Sequence, residues 1–182
     1  MIRGWNPTTL TRECKAMTVP AGETVVLSQG GEVEVVQQLG GSITVRTEIG
    51  SLLRIAGEDA DALGIQIDGS VDGHDPAVPF DMSHVMEALG QVYDPEIPVD
   101  IVELGLIYRC EERPGPDGTR RIEIDMTMTA PGCGMGDVLS DDARRAVLAV
   151  PGVDDVQVEL VFDPPWTMGH MSDAARLELG LL

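Results

Sequence analysis

Two hydrophobic rhythms divide this chain, and they change over near residue 70. Up to about residue 67 the apolar positions come in short runs broken by glycine. Val25-Val26-Leu27 lies between Pro20 and Gly22 on one side and Gly30-Gly31 on the other. Glu32 to Leu39 and Ser42 to Thr47 flank Gly40-Gly41, a dipeptide of the kind that closes a hairpin. Leu52 to Ile55 follows Gly50, and a brief turn from Asp59 to Gly64 leads into Ile65-Gln66-Ile67. Several short strands with tight turns predict a small all-β N-terminal lobe over residues 1–67, a barrel or a sandwich. A lobe this short makes a marginal core, so it is expected to lean on the rest of the chain or on a second chain. Residues 68–80 are rich in Gly, Pro and Asp, which is linker composition. His74 within them reads as a solvated loop residue.

From residue 81 to 182 the pattern lengthens. Val85, Met86, Leu89, Val92 and Tyr93 recur at helical spacing, with Ser83 as N-cap and Pro95 and Pro98 as the stop. Ile101 to Arg109 reads as a buried strand. Arg121 to Thr129 alternates: Ile122, Ile124, Met126 and Met128 face one way, and Glu123, Asp125, Thr127 and Thr129 the other. A hairpin loop at 114–118 joins these strands. Met135 to Val150 is a second helix, with an Asp141–Arg145 pair on its outer face. Val156 to Phe162 alternates inward, and a tail helix runs from Ser172 to Leu179. The order α-β-β-α-β-α predicts a compact α/β sandwich over residues 81–182, so the whole chain is α+β.

The hairpin also predicts a meeting place. Centred near residues 115–116, it sets Val102 near Thr129, Pro98 near Cys133 and Cys110 near Arg121. A strand–helix–strand crossover makes the second and third strands parallel, so their carboxyl ends lie together. The loop 94–100, the loop 130–134 and the segment Asp163-Pro164-Pro165-Trp166 then share one rim, with Met168 and His170 just beyond. Ligands often bind outside the carboxyl ends of strands.

Composition sharpens this picture. Aromatics are 3% of the chain, so the core is aliphatic. The formal charge is −19, and residues 81–182 hold 20 acids against 7 bases. Such a surface repels phosphate backbones and anionic lipid, which argues against nucleic-acid and membrane partners. No run of about 18 apolar residues spans a bilayer, and the N-terminus lacks a signal-peptide core, so a cytoplasmic location is expected. The three cysteines, Cys14, Cys110 and Cys133, are too few and too widely spaced for a disulfide scaffold.

Cys133 stands out because it lies in a glycine-flanked turn entering a helix. Unpaired N–H groups and the helix dipole favour its thiolate, while nearby acids such as Asp137 oppose it. The plain alternative is a small buried thiol at a tight turn. Asp94 and Glu96 are either site acids or shapers of a proline-stopped helix end, since Asp94 can close a turn with its own side chain. His170 is a ligand or base, or a solvated rim residue. Trp166 reads as a packing plug, and Cys14 and Cys110 read as structural.

The rim segments carry a resemblance. Tyr93-Asp94-Pro95-Glu96-Ile97-Pro98-Val99-Asp100-Ile101-Val102-Glu103-Leu104-Gly105-Leu106-Ile107-Tyr108 resembles the opening motif of the iron–sulfur assembly domain family, which includes the phenylacetate-degradation protein D. Met126 to Gly136, with Thr129, Pro131, Gly132, Cys133 and Gly134, resembles its reactive-cysteine loop, and Val158 to Trp166, with Asp163, its third motif. The N-terminal half looks like the extension of the SufT subfamily. Where a further proline and an arginine are expected after the tryptophan, this chain has Met168-Gly169-His170.

The resemblance implies an accessory factor in iron–sulfur cluster assembly or transfer, and not an enzyme. It maps the functional cysteine, and the cluster or metal ligand, onto Cys133, and the acidic pair onto Asp94 and Glu96. It implies no permanent cofactor but a transient iron–sulfur cluster or iron. It implies iron–sulfur assembly proteins and client apoproteins as partners. Clusters take about four ligands, mostly thiolates, so one cysteine would need a homodimer or a partner's thiols. Two other classes stand beside this one: an adaptor docking basic clients through its acidic face, and an acyl-transfer enzyme built on Cys133, His170 and Asp94.

Overall fold

The computed structural model describes residues 5–39, 41–66, 79–115, 118–130, 132 and 134–181. The chain divides into two compact units, Met1–Ser70 and Val71–Leu182. Most of the expected linker, with His74, lies outside the described residues, as do Pro131 and Cys133.

The first unit is a six-stranded antiparallel sheet. Its strands are β1 (Thr8–Thr9), β2 (Cys14–Val19), β3 (Thr24–Leu27), β4 (Glu32–Leu39), β5 (Ser42–Thr47) and β6 (Leu52–Ala56), in the order β1-β4-β5-β6-β2-β3. The β4–β5 ladder runs to Leu39↔Ser42, as the glycine pair predicts. Two strands were not visible in the apolar pattern. β1 is only two residues long, and β2 pairs Cys14, a small thiol, with Leu27 instead of presenting an apolar run. Ile65-Gln66 is not a strand; it follows a 3-10 helix over Gly57–Leu63 whose chain reverses at left-handed Gly64. Ile43, Val45, Ile55 and Ala62 are fully buried, so this unit has its own core.

The second unit combines α1 (Met82–Leu89), β7 (Ile107–Pro114), β8 (Arg120–Met126), α2 (Gly136–Leu148), β9 (Asp155–Leu160) and α3 (Asp173–Glu178). Asp81, not Ser83, caps α1: its carboxylate accepts from the Ser83 N–H at 2.8 Å. The helix ends at Leu89, well before Pro95, because Gly90 takes the last turn. The outer-face partner of Arg145 on α2 is Asp142.

β7 runs antiparallel to β8 and β9 parallel to it. The expected buried strand from Ile101 to Arg109 is wrong at its start. Asp100 accepts from the N–H groups of Val102 and Glu103 at 2.9 Å each and folds residues 101–105 into turns. The ladder therefore begins at Ile107↔Met126. The hairpin closes later than expected, at Pro114↔Arg120, so Cys110 faces Ile124 in mid-sheet and not Arg121 at its end. Ile122, Ile124 and Met126 on β8 pack with Val85 and Leu89 of α1 and with Leu139, Ala143 and Val147 of α2 in one core. On β8, Glu123 and Asp125 take the opposite parity and bind Arg109, which chelates Asp125 at 2.7 and 2.8 Å. That guanidinium holds the Asp125 carboxyl below its ordinary range.

Candidate functional site

Three segments leave the sheet at the rim where β8 and β9 end and β7 begins. The parallel ladder reaches Met126↔Leu160 and is extended by the Val161 N–H donating to the Met126 carbonyl at 2.8 Å. The Thr127 N–H donates to the Leu106 carbonyl at 2.8 Å. The start of α2 closes onto the same place: a Cβ on Gly136 would stand 3.2 Å from Leu160 and 3.8 Å from Met128. The small residue lets the helix start sit directly on the strand ends, and the segment entering that helix carries the expected reactive cysteine.

Segment 92–106 folds back on itself. The Tyr93↔Asp100 bridge and the Ile101 N–H bond to the Val92 carbonyl at 2.9 Å hold its base. Asp94 is 4% exposed, and its Oδ1 accepts from the N–H groups of Glu96 and Ile97 at 2.8 and 3.0 Å. Its carboxylate thus closes its own turn, the plainer of its two readings. Burial pushes the Asp94 carboxyl above its ordinary range against the pull of those two N–H bonds. Glu96 is exposed on the same turn.

The tail 163–172 clamps this segment. The Trp166 Nε1–H donates to the Leu104 carbonyl at 2.9 Å while its ring packs against the core. The Tyr108 hydroxyl donates to the Pro164 carbonyl at 2.9 Å. The Ser172 N–H donates to the Glu103 carbonyl at 2.9 Å, and its hydroxyl donates to the Glu103 carboxylate. Gly105 has φ +68°, and a Cβ there would stand 2.6 Å from the His170 carbonyl carbon and closer still to its oxygen. Only glycine fits at that crossing.

His170 therefore belongs to the clamp. Its Nδ1 accepts from the Thr167 N–H at 3.1 Å, and its ring stacks on Tyr108 with centroids 5.5 Å apart. Asp163 is exposed, and Phe162, expected inward, lies beyond β9 at 48% exposure. In the cysteine loop Thr129 is half-buried and Gly132 and Gly134 are exposed, Gly132 with φ +79°. The other thiols are withdrawn. Cys14 is buried, and desolvation pushes its thiol up; Cys110 is pushed up to about 11 by burial. Among the described residues no group of three His, Cys, Asp or Glu side chains could hold a metal ion.

Thr127 escaped the alternation reading, which placed it with the solvent-facing acids. It is 1% exposed, and its Oγ1 has no hydrogen-bond partner. Strand parity is blind to this because Thr127 lies past the end of β8, where the ladder gives way to the rim.

Comparison with known proteins bears on the same stretch. A family described as "Iron-sulfur cluster assembly protein" matches residues 83–160. An "Fe-S protein maturation auxiliary factor" of Porphyromonas gingivalis is 44% identical over 98 residues, 54% of this chain and 90% of that protein. The "Fe-S protein maturation auxiliary factor SufT" of Staphylococcus aureus is 38% identical over 90 residues, 50% of this chain and 98% of that protein. An "Iron-sulfur cluster carrier protein" of Mycobacterium tuberculosis is 37% identical over 95 residues, 52% of this chain and 22% of that protein. This chain covers nearly all of the S. aureus protein, which in turn matches half of this chain.

Proposed function

Because the chain belongs to the iron–sulfur cluster assembly protein family, we propose that it is an accessory factor in iron–sulfur cluster maturation that carries a cluster or iron transiently on Cys133. The observation that carries this reading is the family match over residues 83–160, together with the chain's coverage of at least nine-tenths of two maturation auxiliary factors. It is a carrier's role, with no turnover chemistry, in the reducing cytosol.

The chemistry of the rim supports it. A thiolate is the ligand and the nucleophile, and Cys133 lies between two exposed glycines at the entry to α2. Cys14 and Cys110 are kept protonated by burial. A cluster needs about four ligands, so Cys133 would share its cargo with thiols of a second copy, a donor or a client apoprotein. A cargo held by one thiol of the chain is released readily, as delivery requires.

The test is anaerobic reconstitution with iron and sulfide, read by absorbance and iron content. The wild type is expected to be colourless as purified and to take up iron, and Cys133→Ser to fold normally and take up none. If Cys133→Ser loads as well as the wild type and supports maturation of cluster-dependent enzymes in cells, the carrier reading falls and an adaptor role replaces it.

A further inference from the structure

The sequence spends a polar atom at Thr127 where the fold has no use for one. The Thr127 hydroxyl is buried without a hydrogen-bond partner, which costs the desolvation of the group with nothing in return. Valine has the same shape and would avoid that cost. The main chain of Thr127 is fixed by its N–H bond to Leu106, and Met128 beside it packs under Gly136 at the start of α2. Thr127 thus stands just past the end of β8, two residues before Thr129, where the segment that carries Cys133 sets out.

The surrounding sequence sharpens the point. Segments 92–106, 127–135 and 161–172 contain no Lys or Arg, and they hold Asp94, Glu96, Asp100, Glu103 and Asp163. Sulfide and thiolate sulfur are anionic, and no lysine or arginine from these segments can meet them. A neutral donor is what remains, and hydrogen bonds to charged groups are the stronger kind.

We propose that the Thr127 hydroxyl is a hydrogen-bond donor reserved for the sulfur of the iron–sulfur cargo, making Thr127 a binding residue of the rim. This rests on the carrier reading above. In the empty protein the hydroxyl is unpaired; when cargo arrives it donates to sulfide or thiolate sulfur, and the desolvation cost already met in folding is not met again on binding.

The experiment compares the full-length wild type with Thr127→Val and Thr127→Ser. Each is reconstituted anaerobically with iron and sulfide, and iron release to bathophenanthroline is timed. Melting temperature and the rate of Cys133 alkylation by iodoacetamide are measured on the empty proteins. Thr127→Val should melt at or above the wild type and alkylate at the wild-type rate, yet release iron roughly tenfold faster. Thr127→Ser, which keeps the hydroxyl, should release iron like the wild type. Equal release from the wild type and Thr127→Val overturns the proposal and leaves the carrier reading standing. A clear drop in melting temperature for Thr127→Val also overturns it, because the hydroxyl is then satisfied within the empty protein. A wild type that takes up no iron overturns both.

Discussion

Gly105→Ala tests whether the tail clamps the rim. Two costs arise and can be separated. The first is local: an alanine at φ +68° carries the left-handed penalty of about 1–2 kcal/mol. The second is the overlap of the new Cβ with the His170 main chain, which no side-chain rotation relieves. One partner has to move. Segment 101–106 is held by the Leu106 N–H bond to Ile101 and the Ile101 N–H bond to Val92, both 2.9 Å, so the tail gives way. Its displacement loses the Trp166–Leu104, Ser172–Glu103 and Tyr108–Pro164 hydrogen bonds in whole or part, each worth about 1 kcal/mol net. The total is about 3–5 kcal/mol, a large share of a small unit's stability.

The control is Gly118→Ala, where φ is +79° and a Cβ would meet nothing within 4 Å. It should show the local penalty alone. Urea unfolding followed by Trp166 fluorescence in a Trp5→Phe background reads the second unit. Gly105→Ala is expected to lose at least about 2 kcal/mol more than Gly118→Ala. Equal losses in the two variants would refute the clamp.

Iodoacetamide at about pH 8 should modify Cys133 alone in the folded protein, because a thiol near pKa 11 is about one part in a thousand thiolate there; peptide mapping that finds Cys110 or Cys14 modified at a comparable rate contradicts the burial argument. The raised carboxyl of Asp94 contributes stability that is full below its unfolded pKa and lost as pH rises through the folded value. The stability of Asp94→Asn relative to the wild type should therefore rise as pH climbs above about 4, and urea titrations showing a flat or falling difference refute it. His170→Ala should cost about 1 kcal/mol through loss of the Tyr108 stack and leave iron uptake unchanged; a fall in iron content in the folded variant would restore His170 as a ligand.

Local chemistry made much of the second unit readable. Alternation from Ile122 to Met126 marks a buried strand because one face meets the helices and the other meets water. The parallel pairing of β8 and β9 follows from the helix between them, and with it the rim. The errors occur where a side chain competes with the backbone pattern. Asp100 turns an apolar run into a loop by accepting two N–H groups, which apolar content alone cannot report. A bulge between Ile107 and Arg109 and a later hairpin closure shift the pairing and move Cys110 to mid-sheet. At Asp94 the turn-closing role that the sequence offered is visible in the geometry.

Most of the motif residues of the rim hold its geometry. Glu103, Leu104 and Gly105 contact the tail through main-chain atoms, one carboxylate and the absence of a Cβ. Asp94 closes its own turn, and His170 contacts Thr167 and Tyr108. Each of these groups helps to fix the path of a segment that ends at the strand termini. Among the described residues, Thr127 has an unpaired hydroxyl, and Glu96 and Asp163 are exposed acids. A rim built like this would hold a multi-metal cargo only with thiols from elsewhere. Under the carrier reading the rim would supply one thiol and one donor, and the remaining ligands would come and go with the partner.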